Sequence, residues 1–410
     1  MENSKKEVFN QELPIPLTSH LSLPTICVFF TDLFNKGGCE TLIKYVVRSL
    51  YKEFSFYILT SLEGDRISDP EYREFLNYAV EIVNIHRRNQ KALFQELKKI
   101  KPSLVFTSFF HFATEPCRRL DIPVVEFCVG ARSMPKPQAN PAHNYMTVES
   151  EGAKRQILKL RSFPEERIKV IRNAVCYRGE VASSKEIRKL FEVPEDFLIV
   201  SLNARAVSGK GWFVIGEAMK HLVNEKIIFI GFSRMEYVHC RVWSKLMEYN
   251  KKLKNFKVLD GTSVERKYVL GVTEASNFIC IPTTHKEEGI PNCIVEALYF
   301  GKPVITCRNG YIEEVIFENK NGLFVKPHGF SLAGAIRLLI HNRELRENLS
   351  KGSKEVYESL YDIELFRNSY REVFLKALED GYFYGNKKRK PLKAFLRNLN
   401  FIYGWGAPKY

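Results

Sequence analysis

The chain has 410 residues, enough for two domains of ordinary size that each bury a core. Hydrophobic residues make up 45% and charged residues 27%, which excludes a disordered or low-complexity protein. Lys and Arg number 62 against 47 Asp and Glu, and the net charge of +15 implies acidic company such as phosphates, nucleotides or anionic lipid headgroups.

Nucleic acid is not an expected partner, because no aromatic-rich basic signature of a nucleic-acid module stands out. The nine cysteines lie singly, with no CxxC and no Cys/His spacing suited to a metal, so no metal site is expected. Several, including Cys27, Cys280 and Cys307, fall in or beside apolar strand-like runs, as buried free thiols do. That pattern suits a reducing, cytoplasmic interior. The polar N-terminus MENSKKEVFNQELPIP has no signal-peptide core, and no run approaches the ~18 apolar residues of a membrane span. A soluble protein is expected, lying at most on a membrane surface.

Residues 1 to about 23 read as an extended leader. Ile26–Phe30 then forms an apolar strand, and TDLFNKGGCE follows it. Gly37 and Gly38 open a helix with Leu42, Val46 and Leu50 on one stripe, widened by Ile43 and Val47. Strand, glycine turn and helix make one βα unit of a parallel sheet, and the glycine pair lets backbone approach a ligand at the helix start. The spacing is not GxGxxG, and the glycines could equally serve the turn alone. Further strands are predicted at Ser55–Thr60, Val80–Ile85, Leu104–Thr107, Pro123–Phe127, Tyr145–Ser150 and Ile168–Val175. A helix over Asn89–Ile100 turns Leu93, Phe94 and Leu97 inward. His111 sits just past a strand end, where a catalytic role and a structural one both remain open.

The apolar pattern lapses near Cys176–Ser184, where an interdomain linker is placed. A second alternation starts with the strand Phe197–Leu202, which runs into NARAVSGKGWF. Arg205 and Lys210 lie five residues apart there, with Gly209 and Gly211 freeing the backbone. A guanidinium fork and an ammonium converging from one loop suit a pyrophosphate, the alternative being two solvated cations. It is not a Walker A loop, since no Ser or Thr follows Lys210. Strands at Ile227–Gly231 and Val258–Gly261 come next.

The densest stretch is CIPTTHKEEGIPNCIVEALYFGKPVIT, Cys280–Thr306. A strand ends at Pro282, a polar loop leads to Gly289, Ile290 and Pro291, a helix runs from Asn292, and Val304 and Ile305 open another strand. A helix starting there aims free N–H groups and the positive end of its dipole into the loop mouth, a seat for a diphosphate. Glu288 and Glu296 could both face that mouth and accept hydrogen bonds from sugar and ribose hydroxyls, or be a first-turn acid and a solvated helix residue. A short strand at Leu323–Val325 and helical stretches at Phe330–His341 and Glu344–Leu375 follow. The tail carries NKKRK at 386–390 and an amphipathic segment, which fits docking on the first domain or contact with an anionic membrane surface.

Taken in order, these pieces resemble the retaining nucleotide-sugar glycosyltransferases of the GT-B fold, family 4 (glycosyl transferases group 1). The most specific is EGIPNCIVEALYFGKPVI at 288–305, similar to that family's E-x7-E segment with its G-x-P-V. Arg205 with Lys210-Gly211, Gly37-Gly38 with Glu40, VIRNAV at 170–175, ASNFICIPTT at 275–284 and NGLFV at 321–325 accompany it. The resemblance covers roughly residues 25–375. It implies an α/β protein of two Rossmann-like parallel-sheet domains facing a cleft. An acceptor domain would span 1–177 and a donor domain 178–377, with the tail 378–410 docking back on the first.

Carried over by position, Arg205 and Lys210 would bind the donor diphosphate, helped by the backbone of Gly289, Ile290, Pro291 and Asn292. Glu288 would contact the transferred sugar and Glu296 the ribose, while Gly37 and Gly38 would approach the donor phosphates. The implied function is a metal-independent, retaining hexosyl transfer from a UDP-, GDP- or ADP-sugar, with no cofactor, to a glycan, lipid-linked or protein-linked hydroxyl. The alternatives are a catalytically impaired GT-B nucleotide-sugar binder or scaffold, and a nucleotide-sugar epimerase of the same fold. Two departures stand out. Cys128 replaces a histidine that many relatives place after the Val124–Phe127 strand, so that either His111 takes its place, or the loop is built differently, or catalysis is impaired, and Asn173-Ala174 replaces Asn-Gly.

Overall fold

The structure is a computed structural model. It describes residues 23–385 except 31–32, 35–36, 63–69, 87–88, 109–112, 129–143, 161–162, 176, 178, 235–239, 263 and 286–288. Two parallel sheets organise the chain. The first half contains β1 (Thr25–Phe30), α1 (Gly38–Leu50), β2 (Ser55–Thr60), α2 (Pro70–Phe75), β3 (Glu81–Asn84), α3 (Gln90–Ile100) and β4 (Leu104–Ser108). It continues through α4 (Thr114–Leu120), β5 (Val124–Cys128), β6 (Asn144–Val148), α5 (Glu151–Leu160) and β7 (Ile168–Val170). These seven strands lie in the order β3-β2-β1-β4-β5-β6-β7, every neighbouring pair parallel.

The second half contains α6 (Ser184–Phe191), β8 (Leu198–Ser201), α7 (Trp212–Lys220), β9 (Ile227–Ser233), α8 (Cys240–Lys252), β10 (Phe256–Asp260) and α9 (Arg266–Ala275). Then come β11 (Phe278–Ile281), α10 (Asn292–Tyr299), β12 (Val304–Thr306), β13 (Gly322–Phe324), α11 (Gly329–His341), α12 (Arg343–Leu360) and α13 (Ile363–Gly385). Its six strands run β10-β9-β8-β11-β12-β13, again all parallel. This is the doubly wound pair expected from the alternating pattern. A parallel sheet covered on both faces buries every strand residue, so its strands read as continuous apolar runs rather than alternating ones.

Element ends shift by a residue or two in several places, and three departures from the sequence reading are larger. The strand expected over Ile168–Val175 stops at Val170, which frees Arg172 and Asn173 to leave the sheet edge. Phe94 is half-buried rather than inward, because the Arg119 guanidinium covers its ring at 4.4 Å. The stretch Glu344–Leu375 is two helices, broken where the Asp362 carboxylate accepts the Leu365 N–H at 2.7 Å and starts a new one.

The second of them, α13, belongs to the first sheet. Phe366, Tyr370, Val373, Phe374, Ala377 and Leu378 pack into the core built on β1, β4 and α1. Glu53, almost fully buried, accepts from Arg367 at 2.7 Å and Arg371 at 2.5 Å, and Asp380 accepts the Tyr145 hydroxyl at 2.6 Å. The return to the first sheet therefore begins well ahead of residue 378. The tail 386–410 and the leader 1–22 lie outside the described residues.

Candidate active site

In such sheets ligands gather beyond the carboxyl ends of the strands, and the two sheets present those ends to each other. From the first, β1 leads into α1, whose first residue Gly38 offers its carbonyl to the Asn292 side-chain amide at 3.1 Å. A Cβ on Gly38 would lie 3.2 Å from that amide, so the bare backbone permits the approach. Asn292 also accepts from the Asn173 amide at 2.9 Å. Thus the start of α10 is tied to the start of α1 and to the chain leaving β7.

The loop after β8 is fixed at several points. Trp212, fully buried, donates its indole N–H to the Arg205 carbonyl at 2.9 Å, and Ser233 Oγ donates to the Ala204 carbonyl at 2.8 Å. Gly209 and Gly211 adopt φ of 93° and 84°, which side-chain-bearing residues rarely do, and a Cβ on Gly211 would lie 2.5 Å from the Pro282 carbonyl. Thr283 Oγ1 and Thr284 N–H both donate to the Gly209 carbonyl, at 2.9 and 2.8 Å. The Arg205/Lys210 loop is thereby laced to the loop after β11. His285 lies against Gly209 on the same lacing.

Across the gap from Arg205 stands Glu40, in the first turn of α1. Burial raises its carboxyl above the usual value, although backbone hydrogen bonding and the charges of Lys44, Arg205 and Arg234 oppose that. Arg234 is thus a further cation facing this mouth, just beyond the end of β9. Nothing in its sequence surroundings marks it.

At α10 the N-cap is Pro291, extended at ψ 135°, and no side chain caps the helix, whose positive dipole end points towards the mouth. Gly289 lies against the Glu149 carboxylate of the first sheet, which is 3% exposed. Ile290 is buried in the second core. Glu296 is buried and paired with Arg266, from the start of α9. Burial disfavours the Arg266 charge, but Glu296 and Tyr45 of α1 outweigh it and hold the guanidinium above its ordinary value. A small interdomain cavity is lined by Tyr45, Asn173, Asn292, Val295, Glu296 and Phe366, among others.

The structure thus brings Gly38, Gly289, Asn292 and Glu296 to the junction of the two domains, with Gly37 at the start of α1, Pro291 at the start of α10, and Lys210 on the same loop as Arg205, while Ile290 is buried in the second core. Glu288 and His111 lie outside the described residues. Cys128, at the position noted as departing from relatives, is fully buried in a core cluster with Met146, Val148, Ala153 and Ile157, and so belongs to packing. Arg266, Arg234 and Glu149 escaped the sequence reading. Arg266 could have been flagged only as a cation opening a helix, where the dipole disfavours it and a partner is needed.

Two parallel-sheet Rossmann-like domains with loops converging on one cleft define the GT-B fold. The chain is a GT-B protein, and its residues 183–356 match the family described as glycosyl transferases group 1. A curated relative, an uncharacterized glycosyltransferase of Methanocaldococcus jannaschii, is 33% identical over 113 residues, which are 26% of this chain. That stretch spans only 32% of the relative's length. Among solved structures, a glycosyltransferase from Rickettsia africae superposes with a TM-score of 0.69 at 15% identity, over 87% of this chain and 99% of that one. Anabaena HepE in complex with UDP-glucose gives 0.70 at 14% identity, over 86% and 99%. Among the described residues no helix is long and apolar enough to cross a membrane.

Proposed function

We propose that this protein transfers a hexose from a nucleoside-diphosphate sugar to a hydroxyl of a glycan, lipid-linked or protein-linked acceptor, with retention and without a metal. The observation that carries the reading is the convergence of three phosphate-suited features on one mouth. These are the start of α10, which no side chain caps, the cation-bearing loop after β8, and the glycine-opened start of α1, with Asn292 bridging the first and last. The complexes of HepE with UDP and UDP-glucose support a nucleotide-sugar donor.

In the reaction the bond from the sugar's anomeric carbon to the β-phosphate oxygen breaks. A bond from that carbon to the acceptor oxygen forms on the same face, and the acceptor proton passes to the departing phosphate. Arg205 and Lys210 would neutralise the charge that grows on the leaving diphosphate, the role a divalent cation plays elsewhere. Glu288 would hold the sugar. Glu296, already locked by Arg266, would present one carboxylate oxygen to the ribose. A cytoplasmic protein touching an anionic membrane through its basic surface fits a lipid-linked acceptor.

The test is titration with UDP-, GDP- and ADP-sugars in the presence of a chelator, following release of the nucleoside diphosphate. Binding of one donor and its slow hydrolysis, accelerated by an acceptor, is expected. Tight binding with no turnover across an acceptor panel would indicate a binding protein. Release of an altered sugar nucleotide would indicate an epimerase, and no binding at all would refute the site.

A further inference from the structure

At the carboxyl edge of the first sheet, β5 ends in Cys128, whose side chain is fully buried in the core cluster. The neighbouring strand β6 is followed directly by Glu149, a carboxylate 3% exposed. What covers it on the cleft side is Gly289 of the other domain: a Cβ at 289 would overlap Glu149 Oε1. The cover is bare backbone, and it comes from across the interdomain gap, so a small separation of the domains opens the carboxylate to the cleft.

Glu149 also lies near the start of α1. Burial raises the Cys39 thiol in the first turn of α1, the charges of Glu40 and Glu149 raise it further, and Arg205 acts against them. The side chain therefore stands within electrostatic reach of the first turn of the glycine-opened helix, which Arg205 also reaches. A carboxylate offers only acceptors, with about four lone-pair directions, and it repels phosphate. The group it suits next to a diphosphate seat is a neutral moiety rich in hydroxyl donors.

Resting on the donor site proposed above, we propose that Glu149 contacts the transferred sugar, accepting hydrogen bonds from its hydroxyls on the first-domain side and setting sugar specificity. Burial raises the Tyr361 and Tyr370 hydroxyls, and the Glu149 charge adds to both, so the carboxylate lies within electrostatic reach of these two side chains.

The experiment compares wild type, Glu149→Ala and Glu149→Gln by calorimetric titration with UDP and with whichever of UDP-glucose, GDP-mannose and ADP-glucose the wild type binds. Hydrolysis rates and melting temperatures are read alongside. Glu149→Ala should bind the sugar-free diphosphate within about twofold of wild type, bind the sugar nucleotide about 10- to 100-fold more weakly and turn it over more slowly still. Glu149→Gln, which keeps one acceptor oxygen, should fall between. Equal losses for the diphosphate and the sugar nucleotide, with a lowered melting temperature, would make Glu149 a support of Gly289 and overturn the proposal. So would unchanged binding of both. If the wild type binds no nucleotide, the proposed function itself fails, a result distinguishable from either.

Discussion

Glu314 makes the most testable link between the two domains. It lies in the turn after β12, yet its carboxylate accepts the N–H of Gly152 at 2.6 Å and of Glu151 at 3.0 Å, the first amides of α5 in the other domain. Arg155 and Arg172 stand at 3.6 Å on either side, and the Glu314 side chain is 17% exposed. Next to it Tyr311 donates its hydroxyl to Gln156 of the same helix. Glu314→Ala removes two charge-assisted hydrogen bonds at a helix N-terminus. A hydrogen bond to a charged group contributes about 1.5–3 kcal/mol, and losing a helix cap costs about 1 kcal/mol. Water replaces some of this once the contact opens, so we expect a net loss of about 2–4 kcal/mol. Glu314→Gln keeps one acceptor and should lose about half. Arg155→Ala, at a partner 72% exposed, should lie within about 0.5 kcal/mol of wild type. Urea unfolding followed by circular dichroism gives each value, with the slope checked for loss of coupling between the domains. A Glu314→Ala midpoint indistinguishable from wild type would refute the reasoning that this carboxylate holds α5 to the second domain.

Two further outcomes follow from the site and its surroundings. Lys210→Ala should weaken donor binding about 10- to 100-fold by removing one cation from the diphosphate seat, read by titration; unchanged affinity would mean the seat lies elsewhere. Glu71 pairs at 2.6 Å with Lys44, whose side chain is 4% exposed. Burial raises the Glu71 carboxyl, but the charge and hydrogen bond of Lys44, with Arg48 and Arg266, outweigh it and hold it below its ordinary 4.5. A depressed carboxyl stabilises the fold above its unfolded value, and that share fades as pH falls through the lower folded value. Stability of the wild type should therefore drop below about pH 4.5 more steeply than that of Glu71→Gln, measured by melting temperature against pH; parallel curves would refute the coupling.

The sequence by itself determined the two sheets and the glycine- and proline-marked turns between their strands and helices. The inner parallel strands are covered on both faces, so runs such as ICVFF and IIFIG announce themselves without knowledge of their neighbours. The turns beside them carry their own local chemistry: Gly211 at positive φ, and Pro291 opening a helix. What tertiary structure decided is everything held by residues far apart in the chain. Asn292 meets Gly38 over 254 positions, Glu314 meets Gly152 over 162, and Arg367 meets Glu53 over 314. No period or spacing encodes such pairs, because each partner alone looks like an ordinary surface polar residue.

The same reason hid Arg266 and Glu149. Arg266 is held by Glu296, 30 positions on, and by Tyr45 of the other domain, and Glu149 is covered by Gly289 of the other domain, so neither set of neighbours is visible locally. Cys128 shows the converse. Its place at a strand end marked it for the cleft, but in a doubly covered sheet the side chain's direction follows the pleat, and the pleat turned it into the core.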